Sequence, residues 1–289
     1  MNKVAQRFLV FFLGVPAVAA LVLLLPHHNH LAFNIVLVIF SALGAMEFSA
    51  MLAQKDLRIS KVEAAIIGAI LPTLAVLLVL GFSFAFIAVI AAPAIVTVTV
   101  SWLLLSRVFS GGDKLDGFIC RFAGGLSVLL YPGIFLVWLI AMSRWDNAGI
   151  IIMTFMVLVF GGDSLAWATG MLFGKGNRGV VPASPNKSMV GFVGGVIGPV
   201  VIGMGAVSIW PHVFVTDQIP PLVAGAVIGL LTGIAAVLGD LAESALKRSS
   251  GVKDSGSFIM GRGGALDSID SVAMAAPVFY ICFSLLFVR

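Results

Sequence analysis

Residues 221–248 read PLVAGAVIGLLTGIAAVLGDLAESALKR. No charge interrupts this stretch before Asp240, and about 20 apolar residues at ~1.5 Å rise each cross a hydrocarbon layer. Gly225, Gly229 and Gly233 form two successive GxxxG steps, which let helix backbones approach closely in lipid. Asp240, Glu243, Ser244 and Lys247 then follow at i, i+3, i+4 and i+7, so they share one helical face. The stretch thus predicts a membrane-spanning helix with a polar, ionisable face at one end.

Composition extends that reading to the chain. Of 289 residues, 60% are hydrophobic and 10% charged, at a mean hydropathy of +1.13, which excludes an ordinary soluble domain. Cys120 and Cys282 lie far apart and suggest no disulfide framework. Apolar runs of spanning length are predicted near 6–25, 31–53, 62–80, 83–105, 122–142, 149–172, 189–210, 221–246 and 269–287. The fold expected is therefore an all-α, polytopic integral membrane protein of about nine transmembrane helices. The first run passes into Pro26-His27-His28-Asn29-His30 without a small-residue cleavage site, so it reads as a retained helix. With the N-terminus in the cytoplasm, every Lys and Arg except Arg144 and Arg289 falls on the inner side, 15 of the 17. This is the positive-inside pattern, and it supports an odd number of spans. Three segments follow: N-terminal helices over 1–105, a middle loop and helix over 106–148, and a C-terminal catalytic region over 149–289.

The long inner loops direct attention to the cytosolic face. Asp163, Asp240, Glu243, Asp267 and Asp270 all map there, at the expected inner ends of spans six, eight and nine. Glu47, near the inner end of span two, either joins them or snorkels to the interface, and is read here as snorkelling. Lys247 and Arg248 suit the negative end of a helix dipole, but Asp240 lies deeper and calls for a cation. Asp267 and Asp270 are one turn apart at a helix start, where Asp267 alone would serve as a cap. Opposite a third aspartate they favour a metal instead, and hard oxygen ligands of this kind suit Mg²⁺ completed by substrate phosphates. Gly261, Gly263 and Gly264 free the backbone to approach a ligand. Upstream, Gly170 to Lys175 resembles a phosphate-binding P-loop, but the spacing is one residue short and no Ser or Thr follows Lys175. Ser184, Lys187 and Ser188, just before span seven, fit phosphate contacts better.

Together these segments resemble the phosphatidate cytidylyltransferase (CDP-diacylglycerol synthase) family. The family signature runs Ser-x-x-Lys-Arg, four residues, Lys-Asp, then Pro-Gly-His-Gly-Gly, two residues, Asp-Arg-x-Asp. Ser244, Lys247, Arg248, Lys253, Asp254, Gly261, Gly263, Gly264, Asp267 and Asp270 stand in matching positions. The Gly239 to Ser244 run, Asp163, Phe173 to Lys175 and Ser184 to Ser188 resemble further family features. Arg262 stands where the family has histidine, Ser268 where it has arginine, Met260 where it has proline, and Val190-Gly191 where Glu-Gly is usual. The likeness is strong over about 155–275.

The resemblance implies transfer of a cytidylyl group from CTP to phosphatidate, giving CDP-diacylglycerol and pyrophosphate in phospholipid biosynthesis. It implies Asp240 and Asp267 as Mg²⁺ ligands, with Asp163, Asp270 and Lys253 completing the catalytic set. Ser184, Lys187, Ser188, Glu243, Ser244, Lys247, Arg248, Arg262, Gly263 and Gly264 are the implied substrate contacts. It further implies a homodimer, formed through the middle region, in the cytoplasmic (inner) membrane with its site facing the cytosol. No nucleic-acid partner is expected. Two other readings stay open. The departures at Arg262 and Ser268 allow a substrate-shifted or inactive relative, and intramembrane carboxylates also mark ion-coupled transporters.

Overall fold

The computed structural model describes residues 3–57, 59–105, 117–259 and 263–287; of residues 3–12, 85 and 89 only the backbone is described. Among the described residues the secondary structure is helical, with isolated bridges only at Arg178–Ser188 and Ile259–Gly263. The helices are α1 (Lys3–Leu23), α2 (His27–Ala53), α3 (Lys61–Val79), α4 (Ala92–Leu105), α5 (Phe118–Val128), α6 (Phe135–Met142), α7 (Ala148–Phe173), α8 (Met189–Ile209), α9 (Pro221–Ser249) and α10 (Leu266–Leu286). Eight stretches of the described residues are long and apolar enough to cross a membrane, and each coincides with a predicted span. The remaining expected span, 6–25, falls on α1, whose apolar part with described side chains is Leu13–Leu23.

Prolines shape several of these helices. Pro93 has no N–H to offer the fourth preceding carbonyl, and the backbone widens into a π turn over Ala85–Ala91 just before it. A second π segment, Leu129–Ile134, contains Pro132 and joins α5 to α6 as one predicted span. In α3, Pro72 leaves the Gly68 carbonyl without its usual helical donor. Ser41 of α2 supplies one: its hydroxyl lies 2.8 Å from Gly68 O and 3.1 Å from Pro132 O. In a bilayer such freed backbone groups need a protein partner.

The chain folds as two compact units. Unit 1 comprises residues 1–141 and 249–268; unit 2 comprises 142–248 and 269–289. Within unit 1, α2 packs on α3, where a Cβ at Gly68 would lie 3.2 Å from Ser41 O. Ser60 caps α3 by accepting from Glu63 N at 3.2 Å. The Glu63 carboxylate accepts from Arg121 at 2.6 and 2.8 Å and from the Trp102 indole at 2.9 Å, tying α3 to α4 and α5.

Within unit 2, α8 packs on both α7 and α9. A Cβ at Gly225 would stand 2.6 Å from Gly203 O, and one at Gly229 2.7 Å from the Pro199 carbonyl carbon. The close helix approach expected from the GxxxG steps of α9 is present, and it is made with α8. In α8, Gly191, Gly194 and Gly198 instead face Ala166, Thr169 and Leu165 of α7. Phe155, Phe279 and Phe283 join Trp145 and Phe214 in a ring cluster, with centroids 4.6–6.0 Å apart.

Candidate active site

The polar face predicted for α9 is present. Ser244 Oγ lies 3.4 Å from Asp240 Oδ1, and Lys247 Nζ pairs with the fully buried Glu243 at 2.5 Å. Asp240 belongs to the interior of its helix, nine positions before Ser249, about 14 Å at 1.5 Å per residue. Asp163 is likewise inside α7, about 15 Å before Phe173. Both positions agree with the predicted spans 149–172 and 221–246, whose C-terminal ends α7 and α9 extend by one and three residues.

Asp240 meets two groups that sequence periodicity does not reveal. Lys187, immediately before the α8 cap, forms an ion pair with Asp240 Oδ2, and both side chains keep about a third of their surface open, 30% and 31%. Lys187 Nζ also stands 6.0 Å from the Phe192 ring centroid. The second is Asp270 of α10, which interacts electrostatically with Asp240, Glu243 and Lys247. Gly239 creates this closeness, since a Cβ there would lie 2.6 Å from the Asp270 backbone oxygen. Asp270 Oδ1 accepts from Ser271 N at 2.6 Å.

The loop between α7 and α8 is fastened at its end. Ser188, 3% exposed, caps α8 by accepting from Gly191 N at 3.1 Å, and Met189 N donates to Asn177 O at 3.1 Å. Ser188 therefore shapes the helix N-terminus beside Lys187, and Ser184 O accepts from Lys187 N at 3.1 Å.

Asp267 belongs to unit 1, in a different setting. Its Oδ2 accepts from Ser255 N at 2.9 Å, Ser255 Oγ at 2.9 Å and Gly264 N at 2.7 Å. Gly263 adopts φ +110°, a conformation that favours glycine, and a Cβ there would lie 3.0 Å from Asp267 Cγ. Glu47, read as a snorkelling carboxylate, is hydrogen-bonded within unit 1. Its carboxylate accepts from Ser255 Oγ at 3.0 Å, Ala265 N at 3.0 Å and Leu266 N at 2.9 Å. These two amides and one hydroxyl serve as partners for its oxygens in place of water or headgroups. Gly264 is required by this contact, with a Cβ position 2.6 Å from Glu47 Cδ. Ser268, at the position where the resemblance expects arginine, turns its hydroxyl to Gly264 O at 3.2 Å. Lys253 and Arg248 are exposed, and Arg262 lies outside the described residues.

The arrangement in unit 2 gathers three carboxylates, Asp240, Glu243 and Asp270, of which Asp240 pairs with Lys187 and Glu243 with Lys247. Among the described residues no three His, Cys, Asp or Glu side chains gather into a cation site. Mg²⁺ asks for less: one or two carboxylates, its own waters and substrate phosphates. Asp240 beside Asp270 meets that demand. Lys187 and Lys247 add ammonium groups suited to phosphate oxygens.

The sequence model of the Cytidylyltransferase family matches residues 5–286. The chain is 40% identical over 124 residues to a phosphatidate cytidylyltransferase of Haemophilus influenzae, covering 43% of this chain and 42% of that protein. It is 36% identical over 184 residues to one of Thermotoga maritima, covering 60% and 64%. The Escherichia coli uncharacterized protein YnbB is 33% identical over 184 residues, covering 60% and 58%. The chain thus spans about half the length of the curated relatives it matches.

Proposed function

The chain belongs to the cytidylyltransferase family, and on that premise we propose that it is a membrane nucleotidyltransferase making CDP-diacylglycerol from CTP and phosphatidate. The observation that carries this reading is the Lys187–Asp240 ion pair beside Asp270. It combines a phosphate-binding cation with hard oxygen donors on helices of one unit. The phosphatidate oxygen attacks the α-phosphorus of CTP, a new phosphoanhydride bond forms, and the bond to pyrophosphate breaks with its electron pair leaving on pyrophosphate. Such transfers depend on positioning and charge neutralisation rather than on covalent help.

Asp240 of unit 2, with Asp163 and Asp270 in support, and Asp267 of unit 1 are each proposed as ligands for Mg²⁺. Bound there, Mg²⁺ would neutralise phosphate charge and orient the reacting groups. Lys187 exchanges Asp240 for a substrate phosphate oxygen, and Lys247, Arg248, Lys253 and Arg262 supply further cationic contacts. Ser184, Ser188 and Ser244 shape the adjoining polar surface, Glu243 holds Lys247 in place, and Gly263 and Gly264 keep the backbone close. The site faces the cytosol from the inner membrane, and a homodimer forms through the middle region, of which residues 106–116 lie outside the described residues. The Ser268 hydroxyl, committed to Gly264 O, favours one second reading: a changed lipid acceptor with CTP use retained.

The test supplies purified protein in lipid micelles with Mg²⁺, labelled CTP and phosphatidate. Labelled CDP-diacylglycerol from the parent chain, and at least about 100-fold less from Asp267→Asn, is expected. CTP binding without product would favour the changed acceptor. Failure to bind CTP would remove both readings.

A further inference from the structure

Glu47 lies in a predicted span, where a carboxylate costs about 3 kcal/mol or more to bury without partners. Its partners come from far along the chain. Ala265 and Leu266, at the start of α10, donate their N–H groups from 218 and 219 residues away. Gly256 and Gly264 close on the carboxylate from two sides, each with a Cβ position 2.6 Å from Glu47 Cδ. A helix start is ordinarily capped by a local Ser, Thr, Asp or Asn. A cap delivered from another helix also fixes where α10 begins.

The third partner gives the contact its meaning. Ser255 Oγ stands 3.0 Å from Glu47 Oε2 and 2.9 Å from Asp267 Oδ2. A hydroxyl has one proton to donate, so the two carboxylates share a single donor. We propose that Glu47 is a positioning residue for Asp267, holding its loop and accepting the Ser255 hydroxyl hydrogen bond when Asp267 engages a divalent cation. The cation then displaces an internal donor without leaving a buried hydroxyl unpaired, which would otherwise cost binding energy. Partners behind a ligating carboxylate commonly affect metal affinity 10–100-fold. This inference rests on the reading of Asp267 as a metal ligand.

The experiment titrates Mn²⁺ by electron paramagnetic resonance into the full chain in lipid micelles with CTP present. Product formation is measured separately. Glu47→Gln keeps the shape but replaces one acceptor oxygen with a donor, and should weaken Mn²⁺ binding tenfold or more. Its Ala265 and Leu266 amides should exchange with deuterium at least about tenfold faster. Ser255→Ala removes the donor that the cation must displace, so it should tighten Mn²⁺ binding several-fold while those two amides keep the parent rate, and it decides the matter if Glu47→Gln does not fold. At saturating metal both variants should recover most of the parent turnover, whereas a merely structural defect would lower activity equally at every metal concentration. Parent-like Mn²⁺ binding in both variants, or no Mn²⁺ binding by the parent chain, would overturn the proposal. Mn²⁺ binding shifted as expected in each variant, with no CDP-diacylglycerol from the parent, would support the positioning role and reject the reaction proposed above.

Discussion

Lys187 and Asp240 neutralise each other 53 positions apart in sequence, and their partial exposure keeps that pair in reach of substrate. Replacing the lysine removes a phosphate contact but leaves the carboxylates. Lys187→Met should therefore raise the KM for CTP about tenfold or more with a smaller change in kcat, as steady-state kinetics in micelles would show. Asp240→Asn should instead lower kcat about 100-fold or more while the helical circular-dichroism signal is retained. Parent-like turnover in that variant would remove Asp240 from the site. The i, i+3, i+4, i+7 face of α9 was legible because helical periodicity brings Asp240, Glu243, Ser244 and Lys247 together. The partnerships of Asp240 with Lys187, and of Glu47 with Ala265 and Leu266, were not. Each joins distant segments, and no local spacing encodes such a meeting.

At the level of elements, hydropathy located the spans well because about 20 apolar residues is a demand of bilayer thickness itself. It could not say which helix each glycine faces. Gly225 and Gly229 meet α8, whereas Gly191, Gly194 and Gly198 of α8 meet α7. Nor could it show how interior prolines are accommodated. The Ser41 hydroxyl replaces the hydrogen bond that Pro72 denies to Gly68 O. Ser41→Ala should cost about 1–3 kcal/mol by leaving that carbonyl unsatisfied, measurable by reversible unfolding in mixed micelles. An unchanged unfolding midpoint would mean that another donor fills the place. Gly225→Val should be more damaging, because its branched side chain must enter the space occupied by Gly203 O. Loss of folded protein from the membrane, compared with the milder Gly205→Val, is the measurement; a Cβ at Gly205 meets nothing within 4 Å.

For the molecule as a whole, the charge pattern predicts sidedness. In a chain with Cys120 and Cys282 replaced by Ser, Lys253→Cys should react with an impermeant maleimide only in inverted vesicles. Arg144→Cys should react only in right-side-out ones. Both original side chains are exposed, so access is decided by the membrane alone. The opposite labelling would invert the topology derived from Lys and Arg placement.

Unit 1 takes in residues 249–268 only after the chain has passed through the whole of 142–248. Ribosomes add about 5–20 residues per second, so roughly 5–20 s separate the two parts of that unit during synthesis. Through that interval α2 must be inserted while the amides that later cradle Glu47 have not yet been made. The first half of the protein is thus obliged to wait in the membrane with an unmatched carboxylate. Its maturation is timed by translation of the second.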